Sequence, residues 1–208
     1  MGLDIYFSRV ERAKKAELEP QIKQLKEQLE PIDEKLNELT YGTEEYNKVY
    51  KEYNDIQVKI DELVGQFLTG AGSFRKVNFL VEFFGYEDNC TDLVISKCQI
   101  EDLVEACGIV LNTRKSINEK IAYCEKCKKE NAEDKEKYNH YVRRIAELTE
   151  ELENTCKQYL PTTSGFFFGS TYYDQDYFEC VAEVKEHFSK LLKTTDFDTT
   201  DIEMYCWW

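Results

Sequence analysis

Proline and glycine are scarce in this chain, at three and nine of 208 residues. A β sandwich or barrel needs turn residues at short, regular intervals, so this scarcity excludes such folds and favours long helices. There are only two histidines, His140 and His187, on different segments. Neither accompanies a serine or cysteine nucleophile motif, which removes triad chemistry. The longest apolar runs, such as Phe79–Phe84, fall far short of the roughly 20 residues a membrane helix needs. Cations are in deficit: 27 Lys and Arg face 41 Asp and Glu, a net charge of -14. That balance disfavours direct binding to nucleic-acid phosphates and leaves a basic partner surface open. No P-loop and no GxGxxG occurs. Asp196, Asp198 and Asp201 open like a calcium loop, yet its glycine and closing glutamate are missing. No catalytic residues, metal ligands or cofactor are therefore assigned, and the balance weighs against an enzyme.

What the chain does have is cysteine, eight of them. Met1-Gly2-Leu3-Asp4 offers neither a basic n-region nor an apolar h-region, and Tyr6 stands where myristoylation needs Ser or Thr. The expectation is a cytoplasmic protein with free thiols acting as small hydrophobes. Cys124-Glu-Lys-Cys127 lacks the second ligand pair of a structural zinc site.

Apolar residues recur in 4-3 spacing at Leu18, Ile22, Leu25, Leu29, Ile32, Leu36 and Leu39. A second seam runs Tyr46, Val49, Tyr53, Ile56, Ile60, Leu63 and Phe67. Such heptad seams, joined by Tyr41-Gly42-Thr43, predict an antiparallel coiled-coil hairpin, with Pro31 kinking the first helix or removing one of its backbone hydrogen bonds. Gly70-Ala71-Gly72 reads as a linker closing the excursion. Ser96-Lys-Cys-Gln99 is a capping box, predicting a helix from about Lys97 whose stripe resumes at Ile117. A polar reversal near Asn131–Asp134 and a return helix ending before Pro161 give a second arm.

The remainder forms a compact base. Leu3–Ser8, Asp92–Ser96, Gly165–Thr171 and Asp201–Trp208 are predicted strands. Ser73 is predicted to cap a helix with face Phe74, Val77, Leu80, Val81 and Phe84, and a last helix runs from about Asp174 to Leu192. The fold class is α+β, predominantly helical: a small antiparallel sheet pairing the termini, helices on one face, and projecting coiled-coil hairpin arms. The base comprises residues 1–9, 73–114 and 156–208; the hairpin insertion is 10–72 and the second arm 115–155.

The densest chemistry lies at Gly165-Phe166-Phe167-Phe168-Gly169-Ser170-Thr171-Tyr172-Tyr173-Asp174, where five aromatics and two glycines meet. Arg75, Asn78, Ser170, Thr171, Tyr172 and Asp174 are the candidate ligand-binding residues. A guanidinium fork and a helix N-terminus both suit an anion. On the structural alternative, Thr171 caps the last helix and Arg75 pairs with Asp174.

Four blocks resemble a family of uncharacterised bacteriophage and prophage proteins. Met1–Tyr6 matches its Met-Gly-Leu-Asp strand. Phe74, Arg75, Lys76 and Asn78 match an aromatic-Arg-Lys-x-Asn helix. Leu160–Asp174 matches a Leu-Pro-Thr-x-x-Gly-Phe-Phe-Phe-Gly-Ser-Thr-x-Tyr-Asp segment, and Met204–Trp208 loosely matches an aromatic-rich end. The resemblance implies the base fold and a bacterial host cell setting, with the arms as elaborations. It carries no activity. The expected function is noncatalytic interaction with a host or phage protein through the arms, to counter a host defence. The arms also offer a surface for homo-oligomerisation. The alternatives are a binder of, or enzyme acting on, a small nucleotide-like anion at the Arg75 and Gly165–Asp174 surface, and a virion or assembly component.

Overall fold

A computed structural model describes residues 2–165 and 167–208. The chain begins with strand β1 (Asp4–Glu11), followed by helices α1 (Arg12–Glu38) and α2 (Glu44–Val64). Strand β2 (Leu68–Arg75), the short helix α3 (Phe79–Phe84) and strand β3 (Asp92–Ile95) come next. Helices α4 (Lys97–Glu130), α5 (Lys135–Tyr159) and α6 (Gln175–Thr194) then lead to strand β4 (Thr200–Trp207). The four strands form one antiparallel sheet in the order β2-β1-β4-β3, so the strands nearest the two termini are paired at its centre. The fold is α+β and predominantly helical. None of its described helices is long and apolar enough to cross a membrane.

The chain divides into two compact units. One holds the N-terminus up to Tyr6, Gly72–Thr195 and Met204–Trp208; the other holds Phe7–Ala71 and Asp196–Glu203. In the second unit, α1 and α2 turn back on each other through Leu39–Thr43. Thr43 Oγ1 accepts from the Tyr46 amide at 3.2 Å, capping α2. Leu18, Ile22, Leu29 and Ile60 are buried together with Val10 and Phe67, and Leu25, Tyr53 and Ile56 pack against them. Arg12 ties the ends of this unit together: Nη1 donates to Asp201 Oδ1 at 2.7 Å, while Nη2 donates to the carbonyls of Phe197 and Asp198. Pro20 and Pro31 both sit inside α1 without ending it. Each forgoes one backbone bond, and the apolar seam carries the helix through.

In the first unit, Ser96 and Gln99 form the reciprocal capping box, at 3.3 and 2.9 Å. The Asp134 carboxylate accepts from the Lys137 amide and starts α5; that bond holds its pKa below the usual carboxylate range. α4 is continuous over 34 residues, with no break before Ile117. The core of this unit is filled by Leu3, Ile5, Phe79, Leu103, Val181 and Phe188, each no more than 1% exposed.

Three expectations fail here. Gly70-Ala71-Gly72 and Ser73 belong to β2 and are neither linker nor helix cap. The edge strand is stabilised by pairing with β1 and by burying Ala71 and Phe74, which outweighs the poor strand propensity of glycine. α3 accordingly starts at Phe79, and Gly85 ends it in the left-handed conformation. Among its described residues, Gly165–Thr171 forms no strand; the Phe166 part of that expectation lies outside the described residues.

Candidate functional site

Asn78 stands just before α3 and is 2% exposed. Its Nδ2 donates to the carbonyl of Ser170 at 2.9 Å and to that of Phe168 at 3.3 Å. A second clamp is the Leu3 amide, which donates to the carbonyl of Phe167 at 3.0 Å. Gly169, at φ 90°, lies against Lys76, itself left-handed at φ 59°. A Cβ on Gly169 would meet Lys76 Cβ at 3.2 Å. Phe168 is buried with its ring edge-on to Trp208 at 5.2 Å. The aromatic segment is thus a loop held by its backbone. Its carbonyls are taken by Asn78 and by Leu3, just before β1, and for that reason they are unavailable to a sheet.

Arg75, Asn78, Ser170, Tyr172 and Asp174 line one cavity of about 260 Å³. Thr171 is not in it; it lines a separate hollow with Tyr172, Tyr173 and Asp174. The helix cap is also reassigned. Asp174 Oδ1, not Thr171, accepts from the Tyr177 amide at 3.1 Å at the start of α6. Arg75 Nε lies 3.5 Å from Asp4 Oδ1, so its partner is Asp4 and not Asp174, because β1 and β2 are paired side by side. Arg75 and Lys76 in the lining are balanced by Asp174 and Asp176. With a carboxylate already on the amides of α6, an incoming anion would have to displace it.

Asn78 yields the first prediction. Asn78→Leu keeps the volume but leaves two loop carbonyls without their donor, which should cost about 2–3 kcal/mol in urea unfolding. It should also speed proteolysis at Gly165–Asp174. A change below about 0.5 kcal/mol, with protease resistance retained, would contradict the clamp.

A different surface stands out in the second unit. At the α1–α2 turn, Tyr41 is 85% exposed and Tyr50 50% exposed. Tyr46 lies between them, edge-on to Tyr41 at 5.1 Å and stacked on Tyr50 at 6.0 Å with an interplanar angle of 9°. Gly42 at φ 84° makes the tight turn that brings Tyr41 over α2. The sequence from Asp33 to Lys48 carries five carboxylates (Asp33, Glu34, Glu38, Glu44, Glu45) against Lys35, which pairs with Glu45, and Lys48. Sequence reasoning placed Tyr46 in the apolar seam and passed over Tyr41 and Tyr50. The i, i+4 spacing of Tyr46 and Tyr50 beside a Tyr-Gly turn was the available signal.

The described residues contain no group of three or more His, Cys, Asp or Glu side chains arranged to hold a metal ion. All eight cysteines are free thiols. Burial pushes the Cys107 and Cys206 thiols up to about 12, which keeps both protonated and inert. No protein-family model, curated protein or solved structure matches this chain.

Proposed function

We propose that this chain is a noncatalytic binding protein that engages a partner protein through the turn end of the α1–α2 hairpin. The carrying observation is the ladder of Tyr41, Tyr46 and Tyr50, whose two outer rings are exposed on either side of the half-buried Tyr46. Tyrosine offers a large, stiff, amphipathic contact at low entropic cost, and it is enriched among the residues that dominate interfaces. The ring faces attract cations, and the carboxylates of the same turn segment, Asp33 to Glu45, add the same preference. The docked element is therefore a lysine- or arginine-rich segment, steered by a chain of net charge -14. On the resemblance carried by Met1–Tyr6 and Leu160–Asp174, we assign the partner to host or phage proteins.

Fluorescently labelled twelve-residue peptides, one Arg/Lys-rich, one Glu-rich and one neutral, test the reading by anisotropy. The basic peptide should bind alone, more weakly as salt rises. Tyr41→Ala/Tyr50→Ala should weaken it by about tenfold or more, from lost cation–π contacts worth about 0.5–1 kcal/mol each at exposed sites plus lost area. Thermal stability should stay within about 0.5 kcal/mol, since both rings are largely exposed. Unchanged affinity of the double variant, or equal binding of the Glu-rich peptide, would refute the assignment.

A further inference from the structure

In the first unit, α4 and α5 pack through Ile117, Cys124 and Leu148. Beside this strip lies a cavity of about 650 Å³, within the ~300–1,000 Å³ of small-molecule sites. Its floor is apolar, from Cys124 at 7% and Leu148 at 1% exposure. Two aromatic side chains, Tyr123 from α4 and Tyr141 from α5, stand over that floor. The rim carries Lys120, His140 and Arg144 against one carboxylate, Glu119. Glu147, paired with Arg144, is a further carboxylate nearby.

The donors are available. Lys120 makes no ion pair among the described residues. Arg144 gives Nη1 to Glu147 at 2.9 Å, which leaves the rest of a five-donor fork unspent. The neighbouring thiol of Cys127, one turn along from Cys124, raises the pKa of both phenols, Tyr123 and Tyr141. Both phenols stay neutral, so no phenolate charge opposes an incoming anion. The Cys124-Glu-Lys-Cys127 pair, which in sequence resembles half of a zinc site, instead supplies one floor residue, Cys124, and a second buried thiol behind it.

We infer that this cavity binds a planar aromatic anion of the nucleoside-monophosphate kind, its ring against Tyr123 and Tyr141 and its phosphate held by Lys120 and Arg144. Stacking on tyrosine suits any flat base, while the Arg fork and the Lys ammonium together suit a phosphate. The site is separate from the Arg75 cavity and from the tyrosine ladder of the hairpin, and it stands whether or not a partner docks there.

The test is calorimetric titration of the full chain with AMP, adenosine and inorganic phosphate. AMP should bind at one saturable site, with adenosine and phosphate each at least tenfold weaker. Lys120→Ala, Arg144→Ala and Tyr123→Ala should each weaken AMP by about tenfold or more, with unchanged far-UV circular dichroism because all three side chains are exposed. Arg75→Ala should leave AMP binding unaltered. AMP should also shift the ring resonances of Tyr123 and Tyr141. Absence of saturable AMP binding at millimolar concentration would overturn the inference. So would binding that survives both Lys120→Ala and Arg144→Ala, or that is lost in Arg75→Ala.

Discussion

Gly72→Ala should destabilise the protein by about 2–5 kcal/mol, the sum of a strained backbone and an overpacked contact. Gly72 adopts φ 146°, a conformation that side chains rarely tolerate. Independently, a Cβ there would fall 2.3 Å from His187 Cε1 and 2.4 Å from its Nε2. The imidazole cannot easily move away, because it sits edge-on to both Phe74 and Phe188 at 5.2 Å, and Phe188 is fully buried. For a chain of this size, each kcal/mol corresponds to roughly 2–4 °C in melting temperature. A double-mutant cycle separates the two causes. His187→Ala removes the clash but not the backbone strain, so Gly72→Ala should cost less in that background, by at least about 1 kcal/mol. Full additivity of the two substitutions would show that the ring does not dictate glycine at this position.

The same residue explains why part of the fold was hidden in the sequence. The starts of α2, α4 and α5 were legible because their determinants are local: Ser96 with Gln99, Thr43 with Tyr46, and the Asn131–Asp134 reversal all act within four residues. The terminal strands were legible from alternation. β2 was not, because the reason for its glycine is a histidine ring far along the chain. The aromatic loop misled in the opposite direction. Its composition suits a strand, yet its carbonyls go to Asn78 and Leu3, partners that only the folded chain brings near. At the candidate site, the convergence of Arg75 and Asn78 with Ser170, Tyr172 and Asp174 was read from motif chemistry. Thr171 was misplaced because Asp174 is the competing cap, and a carboxylate serves an α-helix N-terminus as well as a hydroxyl does. The α4–α5 cavity needed the pairing of the two helices, since Lys120 and Tyr123 share one helix and His140, Tyr141 and Arg144 the other.

Ile22→Asp should unfold the hairpin unit or cost it several kcal/mol, whereas Leu36→Asp should cost about 1 kcal/mol. Both residues occupy the same heptad seam, so sequence alone gives them equal weight. The structure separates them. Leu18, Ile22 and Leu29 are buried against Ile60 and Phe67, while Ile32, Leu36 and Leu39 are only half-buried towards the turn. A carboxylate at Ile22, which is 7% exposed, loses its hydration and finds only apolar neighbours, and it also forfeits the packing of the isoleucine. At Leu36 the new carboxylate can turn to water, so the loss is that of partial apolar burial. Denaturant unfolding of the two variants, followed by circular dichroism, measures the gradient directly. Its functional corollary is that packing holds the hairpin where it leaves β1 and enters β2, which frees the turn to present Tyr41, Tyr46 and Tyr50. Leu36→Asp should therefore retain the fold and still bind the basic peptide. If Leu36→Asp proves as damaging as Ile22→Asp, the turn end is part of the core, and the tyrosine ladder would be serving packing in place of recognition.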